Sequence, residues 1–130
     1  MFRLKSIESF MDHVADFHSL SYAIVEDVVM PTAPLPDMSD GTFLRCDFHG
    51  AIMPNDLENG LFVDCRMDGL HFRQANLFNA RFVRCDFSQS QFLECDLSAA
   101  QFEECRLSTA EFSDCDLEAA DVVMPFARTT

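Results

Sequence analysis

Positive charge is what this chain has least of: 9 Lys and Arg stand against 22 Asp and Glu, a formal net charge of -13. Nucleic-acid binding is driven by Lys and Arg displacing counterions from phosphates, so direct contact with DNA or RNA is disfavoured. There is no Trp, one Tyr and only four Gly, which leaves no glycine-rich loop to cradle a phosphate. Uncharged apolar runs never approach the ~18 residues of a membrane span. Glu8 and Asp12 interrupt the stretch where a secretory signal would need unbroken apolar residues. These absences point to a soluble, cytoplasmic chain, with export by a specialised secretion system left open. The 130 residues are 48% hydrophobic, enough for one core and too apolar for a wholly disordered acidic tail.

What is present is a repeat of five. Broken into fives from Gly60, the sequence runs GLFVD, CRMDG, LHFRQ, ANLFN, ARFVR, CDFSQ, SQFLE, CDLSA, AQFEE, CRLST, AEFSD, CDLEA, ADVVM. Each unit has a small or apolar first residue and a large apolar third one, its centre. A period of five fits neither a helix nor a simple strand, so the centres share a side only if the chain coils. Centres also match by type at intervals of 20: Phe62, Phe82, Phe102; Phe72, Phe92, Phe112; Leu57, Leu77, Leu97, Leu117. Four units per turn would stack like on like. Units upstream, Gly41-Thr42-Phe43 and Cys46-Asp47-Phe48, run one residue out of phase until the four-residue unit Ala51 to Pro54 restores it, giving 17 units with one deletion.

The chain resembles the pentapeptide repeat family, whose unit is commonly summarised as Ala-(Asp/Asn)-Leu-X-X; Ala75-Asn76-Leu77 and Ala120-Asp121-Val122 are close to that form. The resemblance covers residues 41 to about 124 and implies an all-β fold, a right-handed quadrilateral β-helix. Seventeen units make about four coils and, at ~4.8 Å between strands, a tower about 20 Å tall.

A solenoid exposes unpaired backbone and apolar centres at its ends unless something covers them. Residues 1-40 are expected to cap it. Ser6 or Ser9 can start a helix whose face carries Ile7, Phe10, Met11, Val14 and Phe17, and Pro31, Pro34 and Pro36 mark a connector into the 41-124 solenoid. Residues 125-130 form a C-terminal tail. Val122, Val123, Met124 and Phe126 make an apolar coil end and a candidate homodimer edge. Asp-Val-Val-Met-Pro occurs at both 27-31 and 121-125, either by coincidence or as paired edges.

All six cysteines, Cys46, Cys65, Cys85, Cys95, Cys105 and Cys115, fall on first positions at repeat intervals, so they are read as small core residues rather than metal ligands or disulfides. His13, His18, His49 and His71 share no metal spacing and are expected at the surface. No catalytic residue, metal or cofactor is assigned, because a filled tower offers no cleft for an acid and base.

Acids crowd the later units. Residues 41-84 hold five acids and five bases, and residues 85-122 ten acids against Arg106 alone. With the period of 20, Arg84 falls between Asp64 and Glu104, Asp86 between Arg66 and Arg106, and like charges stack at Glu94 on Asp114 and Asp96 on Asp116. Glu94, Asp96, Glu103, Glu104, Glu111, Asp114, Asp116 and Glu118 are the candidate partner-binding acids, and the expected partner is a protein with a basic surface. The leading expectation is a non-catalytic interaction module: a regulator, adaptor or secreted bacterial factor. The resemblance supplies an alternative. The Cys-Asp-Phe, Cys-Asp-Leu and Cys-Arg-Leu units look like those of quinolone-resistance members, which mimic DNA on DNA gyrase and alter sensitivity to topoisomerase poisons.

Overall fold

The computed structural model describes residues 2-123. Ten short strands and one helix follow each other as β1 (Phe2–Leu4), α1 (Ile7–Phe17), β2 (Ala23–Glu26), β3 (Thr42–Leu44), β4 (Leu61–Val63), β5 (His71–Arg73), β6 (Arg81–Val83), β7 (Gln91–Leu93), β8 (Gln101–Glu103), β9 (Glu111–Ser113) and β10 (Asp121–Val123). Every strand pair is parallel, in a seven-stranded sheet ordered β1-β2-β3-β4-β6-β8-β10 and a three-stranded sheet ordered β5-β7-β9.

The chain winds as a quadrilateral β-helix with four columns of centres. The first face stacks Leu20, Met38, Leu57, Leu77, Leu97 and Leu117. Its outward neighbours are linked by the bridges Ser19–Asp37, Asp56–Asn76, Asn76–Asp96 and Asp96–Asp116. The second face is the larger sheet, with Val25, Phe43, Phe62, Phe82, Phe102 and Val122 in line. The third stacks Met30, Phe48, Met67, Phe87 and Leu107 through bridges from Val29 to Arg106. The fourth is the smaller sheet, centred on Phe72, Phe92 and Phe112.

Pairing does not begin at Gly41. Residues 19-40, expected as part of the cap with a connector at Pro31, Pro34 and Pro36, form a coil of their own: Val25 pairs with Phe43, and Leu20, Val28, Met30, Leu35 and Met38 join the core at 6% exposure or less. The turn from Ser19 to Asp37 takes 18 residues, from Thr42 to Leu61 it takes 19, and from Leu61 to Arg81 it takes 20. Both shortened turns lose their residues at the corner between the fourth and first faces, where Pro36 and Pro54 sit. Proline fixes φ and donates no hydrogen bond, so it closes a tight corner without leaving an orphan donor. The shortened coils hide the period from the sequence. The tower consequently has between five and six levels, about 26 Å at ~4.8 Å each.

The core is a filled axis. Every centre from Leu57 to Leu107 is at most 2% exposed. Phe62, Phe82 and Phe102 stack on one another with ring centroids 5.0 and 4.9 Å apart, and Phe72, Phe92 and Phe112 at 4.6 Å with planes 3° and 2° from parallel. Phe87 meets Phe82 edge-on at 5.0 Å and 84°, which locks the two columns together. Each buried Phe contributes about 1.5–3 kcal/mol by leaving water, and aromatic pairing adds to that. Turns on the first and third faces are closed by bonds such as Ala80 N–H to Leu77 O at 3.0 Å and Ala100 N–H to Leu97 O at 3.0 Å. Their penultimate residues are left-handed, with Asn59, Asn79, Ala99 and Ala119 at φ 60, 60, 59 and 59, as a type II turn requires. Where Leu70 replaces a small first residue, the fully buried Ser90 of the next coil intervenes. Its hydroxyl donates to Met67 O at 2.7 Å and accepts from Leu70 N–H at 3.2 Å.

The helix α1 starts at Ser6, whose hydroxyl accepts from Ser9 N–H at 3.0 Å while the Ser9 hydroxyl accepts from Ser6 N–H at 3.2 Å. That reciprocal cap satisfies two orphan donors. The helix links parallel neighbours β1 and β2. Phe10 (1% exposed) enters the core and Val14 packs against it. Ile7, Met11 and Phe17 do not; they remain 41%, 49% and 52% exposed. The surface expectation fails for His13, which is buried between the rings of Phe2 and Phe17, each 4.7 Å away.

Candidate interaction surface

The acids preceding centres on the first and third faces have a local job. Asp37, Asp56, Asp96 and Asp116 each accept through Oδ1 from the backbone N–H two residues on, at 2.9, 3.2, 2.9 and 3.0 Å, and Asn76 does the same for Phe78 at 3.0 Å. On the third face Asp47 and Asp86 repeat this with His49 and Ser88 at 2.8 and 2.9 Å. Short Asx side chains make this turn and longer ones do not, so Cys-Asp-Phe and Cys-Asp-Leu units carry Asp for the fold before any partner is considered.

The eight candidate acids divide. Asp96, Asp116 and Glu118 lie on the first face and Glu94 and Asp114 on the corner beside it, with Asp96 bridging Asp116 in register. Glu111 starts β9 on the fourth face, stacked below His71 and Gln91. Glu103 and Glu104 are on the second face and its far corner. Glu103 is paired with Arg81 at 2.7 Å, and Glu104 lies 4.0 Å from Arg84. Four acids outside the candidate set, Asp37, Asp40, Asp56 and Glu58, share the first face. No Lys or Arg occupies that face among the described residues, while Asn79 donates to Asn59 at 2.9 Å and Asn59 to Asp40 at 3.1 Å along its edge. Charge therefore separates by face as well as by half of the chain. Extending the stacking upstream through the 18- and 19-residue turns would have revealed it. Phe78 stands in this face, 41% exposed.

The bases gather elsewhere. Along the corner between second and third faces Asp27, Arg45, Asp64, Arg84 and Glu104 alternate in sign, with Arg45–Asp27 and Arg84–Asp64 both at 2.8 Å. Those guanidiniums hold the Asp27 and Asp64 carboxyls below the ordinary carboxylate value. The ladder expected through Asp86 differs: Arg66 turns to Asp68 at 2.7 Å and Asp47 at 3.6 Å, while Asp86 is engaged by Ser88.

The six cysteines are free, five of them buried and Cys115 half-buried. Each thiol donates to a backbone carbonyl of the preceding coil, as Cys95 does to Phe72 O at 3.3 Å. Burial raises the Cys95 thiol above its ordinary value. Among the described residues no group of three or more His, Cys, Asp or Glu is placed to hold a metal, and no helix is long and apolar enough to cross a membrane. At the last coil Val122 is half-buried and Leu117 is 36% exposed; Met124 and Phe126, and the 125-130 tail, lie outside the described residues. The duplicated Asp-Val-Val-Met-Pro serves two different phases. Asp27 is a left-handed corner residue and Asp121 begins a strand.

Parallel five-residue units wound into square coils around a phenylalanine axis define a β-solenoid of pentapeptide repeats. A family model described as "Pentapeptide repeat region" matches residues 55–123, more than half of the chain, and the protein belongs to that family. Among solved structures it is similar to full-length QnrB1, a plasmid-mediated fluoroquinolone resistance protein, at 14% identity and a TM-score of 0.42, covering 94% of this chain and 84% of that one. A trypsin-treated QnrB1 variant gives 13% and 0.47, with 80% and 83% covered. Rfr23, a pentapeptide repeat protein from the cyanobacterium Cyanothece 51142, gives 12% and 0.35, with 93% and 79% covered. Likenesses this distant carry no argument about function. No curated protein matches the chain.

Proposed function

We propose that this protein is a non-catalytic interaction module whose first face docks a protein partner with a basic surface. One observation carries the reading: from Asp37 to Glu118 that face bears carboxylates at nearly every level and no Lys or Arg among the described residues. Stacked coils hold the charges on a rigid frame, so the surface is preorganised and steers a basic partner toward it. The filled axis supports a binding role over catalysis, since a reacting group would have only an exposed face on which to sit. Glu94, Asp96, Asp114, Asp116 and Glu118 belong to the docking surface, Glu111 lies at the far edge of the fourth face from it, and Glu103 and Glu104 are left out because bases already engage or approach them. Binding of a basic partner should weaken strongly when Asp56→Asn, Glu58→Gln, Asp96→Asn, Asp116→Asn and Glu118→Gln are combined. Asn preserves the turn acceptor, so the fold is kept. A control that removes Glu8, Asp12 and Asp16 charges from α1 should bind normally; equal losses in both variants would reduce the effect to net charge and defeat the reading.

A second reading, mimicry of DNA toward gyrase, is favoured by the vertical stacking of first-face acids such as Asp96 on Asp116, with a gap at the Asn76–Asn79 level. Height counts against it, since about 26 Å spans roughly eight base pairs at ~3.4 Å each. A gyrase supercoiling assay separates the two: inhibition or drug protection lost with the same five substitutions supports mimicry, and no effect at saturating protein removes it.

A further inference from the structure

The outward side of the second face carries a run of aliphatic residues. Ile24, Leu61, Leu44, Val63 and Val83 all project from it, half-buried, on four consecutive strands. Across the register Leu44, Val63 and Val83 stand in a row, Thr42 lies between Ile24 and Leu61, and the ends of these rows meet Arg3, Glu26, Arg81 and Glu103. The charges around this patch are compensated. Glu26 takes Arg3 at 3.0 Å and Lys5 at 3.6 Å, Arg81 takes Glu103 at 2.7 Å, and the flanking corner is the alternating ladder of Asp27, Arg45, Asp64, Arg84 and Glu104. Asp121, on the outermost strand, is the exception among the described residues of these strands.

We propose that a second copy of this chain docks here, sheet face against sheet face across a twofold axis. Two copies that each carry -13 repel wherever carboxylates stand unpaired, as on the first face. The second face is where a copy can approach apolar surface with its flanking charges already neutralised. A twofold operation brings the aliphatic rows of one copy onto those of the other, because an isologous contact uses the same patch twice, and sheets pack face to face at about 10 Å. The contact is small. A face about 24 Å tall and about 15 Å wide buries a few hundred Å² per copy, below the ~800 Å² per partner of a stable complex, so the dimer is weak and concentration-dependent. This interface is independent of the acidic face and leaves it open to a partner.

Sedimentation velocity from about 10 μM to about 1 mM tests it in the range where weak contacts show. The expected result is a weight-average mass rising toward the dimer, more so in high salt, where charge repulsion between copies is screened. Leu61→Thr, Val63→Thr and Val83→Thr together keep strand-forming side chains and should weaken association at least about tenfold with an unchanged circular dichroism spectrum. Leu93→Thr, outward on the fourth face, should leave association intact. A monomer throughout the range, association that survives the triple substitution, or association abolished instead by Val122→Asp at the coil end would each overturn the proposal.

Discussion

Asp96 and Asp116 face each other on adjacent coils as bridge partners, each bonded to its own chain two residues on and neither paired with a cation among the described residues. Two requirements compete there. The turn wants a short acceptor, and like charges at strand spacing repel. Asparagine meets the first without incurring the second. Asp116→Asn is therefore expected to raise Tm by about 2 °C at low ionic strength, an advantage that shrinks with salt. Asp96→Ala should lower Tm, because it also leaves the Ser98 N–H without its acceptor. If Asp116→Asn proves destabilising, the carboxylates are not in repulsive contact.

Ala99 sits at φ 59 in the turn closed by Ala100 N–H to Leu97 O at 3.0 Å. A left-handed residue with a Cβ costs about 1–2 kcal/mol, and Asn bears it best among non-glycine residues. One and two coils earlier the same column position holds Asn79 and Asn59, joined at 2.9 Å. Ala99→Asn should stabilise by about 0.5–1 kcal/mol in urea unfolding, through relief of strain and extension of the amide ladder. A loss of stability would mean that the half-buried methyl packs better than it twists.

Much of this architecture was legible because the units from Leu57 onward hold a strict period: the Phe columns, the inward thiols, the Arg84 ladder and the His71–Gln91–Glu111 stack all follow from counting by 20. Residues 19-40 were not, since turns of 18 and 19 residues carry the column out of phase and the centres there, Leu20, Val25, Met30 and Leu35, lack the Phe and Cys markers. The composition of the first face was hidden for the same reason. His13 went astray because helix rotation is set by what α1 packs against, and the burial of Phe10 turns His13 inward with it.

Phe82 lies between Phe62 and Phe102 at 5.0 and 4.9 Å, touches Phe87 edge-on and is fully buried. Phe82→Ala removes a stacked ring from mid-column, where coils above and below cannot collapse into the space, and should cost about 3–5 kcal/mol. Phe112, half-buried in the last coil, should cost well under that for the same change. Equal costs by denaturant titration would show that the column ends are as well covered as its middle.

Native thiol titration should find one reactive cysteine. Cys115 is half-buried, whereas Cys46, Cys65, Cys85, Cys95 and Cys105 are at most 3% exposed. Thiols buried that deeply are inaccessible to reagent in the native state. Cys115→Ser should abolish the fast phase while five thiols appear on unfolding. Rapid labelling of several cysteines in the native protein would contradict the inward first position on which the coil geometry depends.

The corner ladder predicts the acid limb of stability. Asp27 and Asp64 are held below the ordinary carboxylate value by Arg45 and Arg84, so the folded state favours their charged form. Their contribution is fully present above the unfolded value near pH 4 and disappears as pH falls through the lower folded value. Asp64→Asn should therefore be less stable than the parent from neutral pH down to about pH 5, and the difference should close below about pH 3. Because Asp64 and Arg84 are solvent-exposed, the effect should be small and should fade with salt. A gap that widens toward low pH would mean that Asp64 acts through neighbouring acids rather than through Arg84.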